Sequence, residues 1–199
     1  MILATGGGGQ LYKVNTNSSV VTGDGIALAY EAGAEISDME FYQFHPTALH
    51  LPGVTPFLIS EAVRGEGGML RNVQGRRFMF DYTPAGELAP RDIVSRSVLA
   101  EMKKTASDKV FIDVTHLPPS KITTRFPHIY RFCLEQGLDI TQDLIPVAPA
   151  AHYMIGGVKT NIWGETSIAG LFACGETACT GIHGANRLAS KSLLEAMVF

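Results

Sequence analysis

The chain opens with a short apolar run, Ile2-Leu3-Ala4, that stops on four consecutive glycines, Gly6 to Gly9. A strand entering a glycine-rich loop is the element such a pattern predicts. Residues 22–33 (TGDGIALAYEAG) then read as a helix. Asp24 suits its N-cap, alanines and a leucine propagate it, and Gly33 stands where a left-handed C-terminal residue is wanted. Residues 35–38 resume as a strand. This strand, loop, helix, strand order is the rhythm of a doubly wound α/β domain.

From residue 39 the rhythm changes. Residues 56–66 predict a short helix ended by Gly65, Gly67 and Gly68, and residues 69–70 and 77–80 read as hairpin arms around a turn at 72–75. Pro90 suits a first helical turn, and Val94, Val98 and Met102 then mark one apolar helix face. Residues 109–114 predict a strand, and helical pieces across 120–136 break at Pro127 and close at Gly137. Near Tyr153 the α/β pattern returns. Residues 156–160 are extended, residues 171–174 read as a buried strand ending at Gly175-Glu176, and a glycine-rich loop leads into a helix over 190–199. The fold class implied is a partial α/β domain in two pieces, 1–38 and 155–199, with an inserted α+β domain at 39–154. An opening on a buried strand, and a last helix still apolar at Phe199, predict a longer polypeptide whose α/β domain starts upstream.

Composition changes this picture only by exclusion. Hydrophobic residues at 46% and charged ones at 18% suit a packed core. A net charge of −3 offers no basic surface for nucleic acid or an anionic membrane. No apolar run approaches the roughly 20 residues that span a bilayer, and the start lacks the basic region of a signal peptide. Three cysteines with no C-x-x-C pair point to a reducing, cytoplasmic setting, and to neither a disulfide framework nor a metal site.

Polar groups concentrate where core packing does not ask for them. His45 lies in EFYQFHPTAL, and Ser60, Glu61 and Arg64 in SEAVRGEG. Arg91 lies in LAPRD, His152 in AAHY and Arg187 in HGANRLAS. Guanidinium forks pair bidentately with carboxylates, and histidine or hydroxyl donors hold a second one. The set therefore suits a small dicarboxylic acid. Bland readings stand beside it: Glu61 and Arg64, at i and i+3, also fit a surface ion pair worth a few tenths of a kcal/mol. His116 and His128 read as surface or capping residues, and Cys174 and Cys179 as small buried hydrophobes. Gly6 to Gly9 lack the full G-x-G-x-x-G spacing. The segment TSIAGLFACGE places the Glu176 carboxylate at the end of a strand, where acids of dinucleotide folds accept bonds from sugar-like hydroxyls.

Taken together, FYQFHPTAL, SEAVRGEGGML, ELAPRDIVSR, PAAHYMIGGV, LFACGE and HGANRLASKSLLE resemble the succinate dehydrogenase, fumarate reductase and L-aspartate oxidase family of flavoproteins, over essentially the whole chain. Pro90 before the arginine, Ala151 before the histidine, and Ala189 are similar to the L-aspartate oxidase branch, where the respiratory branch typically has Ser, Val and Gly. The resemblance implies an FAD-binding domain and a capping domain, and oxidation of L-aspartate to iminoaspartate on the route to quinolinate and NAD. Hydride would pass from the substrate carbon to the flavin as a proton leaves the adjoining atom, and oxygen or fumarate would accept the electrons. It further implies that Arg91, Glu61 and Arg64 serve proton transfer, and that His45, Ser60, His152 and Arg187 hold the substrate. Glu176, Ser192 and Leu193 would contact non-covalent FAD, with the positive end of the last helix near the flavin.

Departures are few: Ser60 stands where Thr is common in the family, and Lys191 where Asn is common. The expected partners are a dicarboxylate and quinolinate synthase, with neither nucleic acid nor membrane. This stretch alone is expected neither to retain FAD nor to turn over, which a preparation staying yellow through gel filtration would refute. Two rivals remain: a succinate dehydrogenase or fumarate reductase flavoprotein subunit, and a non-catalytic module that binds dicarboxylates.

Overall fold

A computed structural model describes all residues, 1–199. The chain divides into two compact units, one of Met1–Phe44 with Ala151–Phe199 and one of His45–Ala150. The divisions fall a few residues inside the expected insertion of 39–154.

The first unit begins with β1 (Ile2–Leu3), α1 (Asp24–Glu31) and β2 (Ile36–Ser37). The N-cap of α1 is Gly23 rather than Asp24: Gly23 takes φ 85° while its carbonyl accepts from the amides of Ile26 and Ala27. Glycine reaches that left-handed conformation without the Cβ penalty. Asp24 becomes the first helical residue, where its charge favours the positive helix end. Gly33 does adopt φ 90° past the helix end.

The chain passes between the units within β3 (Tyr42–Leu49). The expected helix at 56–66 is reduced to α2 (Glu61–Gly65). The amide of Leu49 bonds the Phe57 carbonyl and that of Ile59 bonds the Thr47 carbonyl, so residues 57–59 run beside β3 instead. Next come β4 (Met69–Arg71), α3 (Arg91–Lys104), β5 (Val110–Asp113), α4 (Pro119–Arg125), α5 (Pro127–Glu135) and β6 (Ile145–Met154). The turn at 72–75 forms, but its second arm is short: Phe78 bonds Leu70, and Met79–Asp81 then coil into a 3-10 turn. The strand order is β3-β6-β5-β4, with β5 antiparallel to both neighbours. Val94 and Val98 of α3 pack with Val110, Ile112, Ile145 and Val147 into the core of this unit, with Met102 beside them. Because Ile112 is fully buried, Ile112→Val is expected to cost about 1 kcal/mol in chemical denaturation, the usual result of deleting one core methylene.

The first unit is completed by β7 (Gly157–Lys159), β8 (Phe172–Ala173), β9 (Ala178–Cys179) and α6 (Lys191–Val198). Strand β8 lies parallel to β1, and β7 is antiparallel to β2 and parallel to β9. The 171–174 segment is less buried than its composition implies, with Ala173 alone in the core. Gly157 permits the close contact with β9, since a Cβ there would stand 2.3 Å from the Thr177 carbonyl oxygen. Ile26, Ala29, Met154, Val158, Ala173 and Ala178 form the core of this unit. No helix of the chain is long and apolar enough to cross a membrane.

Candidate active site

In the unit of residues 45–150, three of the expected catalytic side chains meet. Helix α2 starts at Ser60, whose hydroxyl accepts from the Ala62 amide at 3.3 Å and so works as a cap. The first helical residue, Glu61, then sits one turn before Arg64. The start of α3 brings Arg91 to the same carboxylate: its Nε donates to Glu61 Oε2 at 2.6 Å, and Arg64 Nη2 stands 3.8 Å from that oxygen. Arg91 is 9% exposed and the Glu61 side chain 36%, so a buried guanidinium is joined to a group that water can reach.

Arg64 is more deeply enclosed, at 2% exposed. Its Nη1 donates to the Glu87 carbonyl, while Nε and Nη2 find no hydrogen-bond acceptor. Burial pulls its pKa below the usual arginine value. Glu61 opposes that shift, neighbouring Arg91 adds to it, and Glu87 opposes it in turn. Its electrostatic balance therefore depends on its neighbours, with the Glu61 carboxylate offsetting the cost of burying the charge. His45, on β3, is fully buried, and its Nδ1 accepts from the Thr47 amide at 3.2 Å. That bond leaves the proton of the neutral ring on Nε2, as a donor.

The other expected residues lie in the unit of 1–44 and 151–199. His152 Nδ1 is 2.8 Å from the Thr16 hydroxyl, and its carbonyl accepts from Asn17. Arg187 is held on three sides. Nη1 donates to Gln43 Oε1 at 3.0 Å, Nη2 to the Ser192 hydroxyl at 2.7 Å, and the guanidinium lies 4.3 Å above the Tyr153 ring. Gln43 Nε2 also donates to the Arg187 carbonyl at 2.6 Å. Thr16, Gln43 and Tyr153 were not singled out as site residues by sequence. Separations of 136 and 144 residues carry no local signal, although Tyr153 adjoins the histidine motif.

The FAD that the resemblance implies can be tested against these residues. A Cβ at Gly7 would lie 2.5 Å from Glu176 Oε1, so the glycine loop leaves room for that carboxyl. Oε1 accepts the Met154 amide at 2.8 Å, and Oε2 makes no hydrogen bond within the protein. Burial raises the Glu176 pKa against the Met154 amide and Arg187, with Glu195 adding to the rise. An acceptor oxygen with no protein partner suits a ribityl hydroxyl. Leu193 is 72% exposed and gives an apolar surface, whereas the Ser192 hydroxyl already serves Arg187. The residues fit the group, and no cluster able to hold a metal ion is present.

The family model described as FAD binding domain matches residues 1–193. The L-aspartate oxidase of Synechocystis sp. is 59% identical over 203 residues, covering all of this chain and 37% of that protein. The L-aspartate oxidase of Nostoc sp. is 57% identical over 203 residues, covering all of this chain and 35% of that protein. The chain thus spans little more than a third of the length of these curated relatives. Among solved structures, E. coli quinol fumarate reductase FrdA matches with a TM-score of 0.90 at 43% identity, covering 99% of this chain and 36% of that one.

Proposed function

This chain belongs to the FAD binding domain family, and from that premise we propose that it is part of an FAD-dependent L-aspartate oxidase that forms iminoaspartate. The observation that carries the reading is the shared Glu61 carboxylate. It joins Arg91 at 2.6 Å to Arg64 at 3.8 Å, in a chain 59% identical to an L-aspartate oxidase. When bound, FAD supplies the acceptor for two electrons. Arg91 gives one of its protons to the Glu61 carboxylate as it takes the substrate proton, and Glu61 releases the proton towards water, with Arg64 setting the charge around them. His45, Ser60, His152 and Arg187 hold the carboxylates, which fixes the substrate for reaction. Glu176 and Leu193, with Ser192 to a lesser degree, hold the cofactor. Residues 45–150 are the capping domain in this reading, and quinolinate synthase consumes the product. Three free cysteines suit a cytoplasmic, reducing location.

The second reading is a fumarate reductase or succinate dehydrogenase flavoprotein, favoured by the likeness to FrdA. Anaerobic flavin bleaching in the full-length, FAD-loaded enzyme separates the two. Bleaching by L-aspartate and not by succinate is expected, and bleaching by succinate alone would replace the first reading with the second.

A further inference from the structure

Helix α6 carries an acidic residue that the proposed chemistry does not use. Glu195 is 1% exposed in the otherwise apolar run LLEAMV, and three side chains converge on it. The Tyr153 hydroxyl donates to Oε2 at 2.8 Å, and His183 Nε2 reaches the same oxygen at 2.7 Å. The Thr180 hydroxyl donates to Oε1 at 2.6 Å. A carboxyl taken out of water is costly unless its lone pairs are satisfied, and here both oxygens are. The His183 ring also stands edge-on to the Tyr153 ring at 5.5 Å and 90°. Tyr153 is therefore fixed both at its hydroxyl and along its ring.

The same ring supports Arg187, with the guanidinium carbon 4.3 Å from the centroid. A phenol that donates to a carboxylate is richer in electron density, which strengthens its attraction for a cation over the ring. The Tyr153 hydroxyl is correspondingly hard to ionise: burial comes first among the causes, then the bond to Glu195 and its charge. Gln43 and Ser192 hold the guanidinium edge, and the tyrosine bears on its face, where it contributes to height and tilt.

We infer that Glu195 is a positioning residue for dicarboxylate binding, acting through Tyr153 on Arg187, with His183 and Thr180 as its anchors. The inference rests on the reading that Arg187 holds a substrate carboxylate. It deepens that reading by tying substrate affinity to a buried acid that touches no substrate.

The experiment is a double-mutant cycle on the full-length, FAD-loaded enzyme, reading KM and kcat for L-aspartate and the flavin difference spectrum with succinate. Glu195→Gln keeps the size of the side chain but loses the charge. It is expected to raise KM and the succinate Kd about tenfold, with kcat changed less than about twofold. In an Arg187→Lys background the same substitution should change either constant less than about twofold, because the group it positions is gone. Equal rises in both backgrounds would show a merely structural role and overturn the inference, as would unchanged constants in the Arg187 background. Should Glu195→Gln yield no folded enzyme, Tyr153→Phe decides. It keeps the ring and removes the hydroxyl, so a rise of about threefold that disappears beside Arg187→Lys supports the inference, and an additive rise overturns it. An unmodified enzyme that neither oxidises L-aspartate nor binds succinate overturns the functional reading itself, an outcome distinct from additivity in an active enzyme.

Discussion

Replacing Arg91 with glutamine is expected to lower kcat for L-aspartate by about a thousand-fold in the full-length, FAD-loaded enzyme, the scale of losing a positioned proton-transfer group. The KM should move far less, because the proposed carboxylate contacts lie elsewhere. The geometry sets this expectation. Arg91 is held by a 2.6 Å bond from Nε to Glu61, which ties the guanidinium to the carboxylate proposed to carry the proton onward. Free arginine is a very poor base, so the role needs an acceptor for its own proton, and the Glu61 oxygen that also lies 3.8 Å from Arg64 is that acceptor. Arg91→Lys keeps the charge but loses the planar fork, and a loss of about a hundred-fold is expected. Solvent deuterium should slow the variants more than the native enzyme if proton transfer becomes limiting. A kcat within tenfold of native for Arg91→Gln would remove Arg91 from the proton path.

That prediction turns on a contact that residue order did not contain. Spacing pairs Glu61 with Arg64, three residues on, yet the shorter bond runs to Arg91, 30 residues away. Local rules did well where the cause is local. Gly33 and Gly137 occupy left-handed positions past helix ends, Pro127 begins α5 where the helical pattern breaks, and Val94 and Val98 face the core as their spacing implies. They failed where a tertiary partner competes. Residues 57–59 carry helix-compatible side chains but satisfy their backbone against β3, so α2 starts only at Glu61. In the same way Glu195 looks like one acid on an apolar helix. Its donors come from 42, 15 and 12 residues away, and nothing near it in the chain points to them. Motif resemblance could name Arg187 and His152, but only coordinates reveal what holds them.

Glu87→Ala is expected to destabilise the unit of residues 45–150 by about 2 kcal/mol, the scale of leaving a buried amide without its acceptor, and to weaken catalysis as a consequence. Glu87 is buried and accepts three bonds. The Leu70 amide meets Oε1 at 3.0 Å, and Arg77 donates through Nε at 2.9 Å and Nη2 at 2.6 Å. Arg77 is partly exposed and can turn to water when the carboxylate is lost. The Leu70 amide is enclosed and cannot, so it keeps most of the penalty of an unmade bond. The same residue's carbonyl accepts from Arg64 Nη1, and a loosened 3-10 turn over Gly86–Leu88 would release that arginine from its place beside Glu61. Acidity provides the check. Burial acts to raise the Glu87 pKa, but Arg77 and the Leu70 amide outweigh it and hold the pKa below the ordinary 4.5. A depressed pKa in the folded state means that the stabilisation is complete above the unfolded value and is lost as pH falls through the folded one. Chemical denaturation of the native protein and of Glu87→Gln should therefore differ most near neutral pH. The gap should begin to close below about pH 4.3 as the unfolded carboxyl takes up its proton. A gap that stays constant down to the acid unfolding limit would mean that Glu87 contributes shape rather than charge.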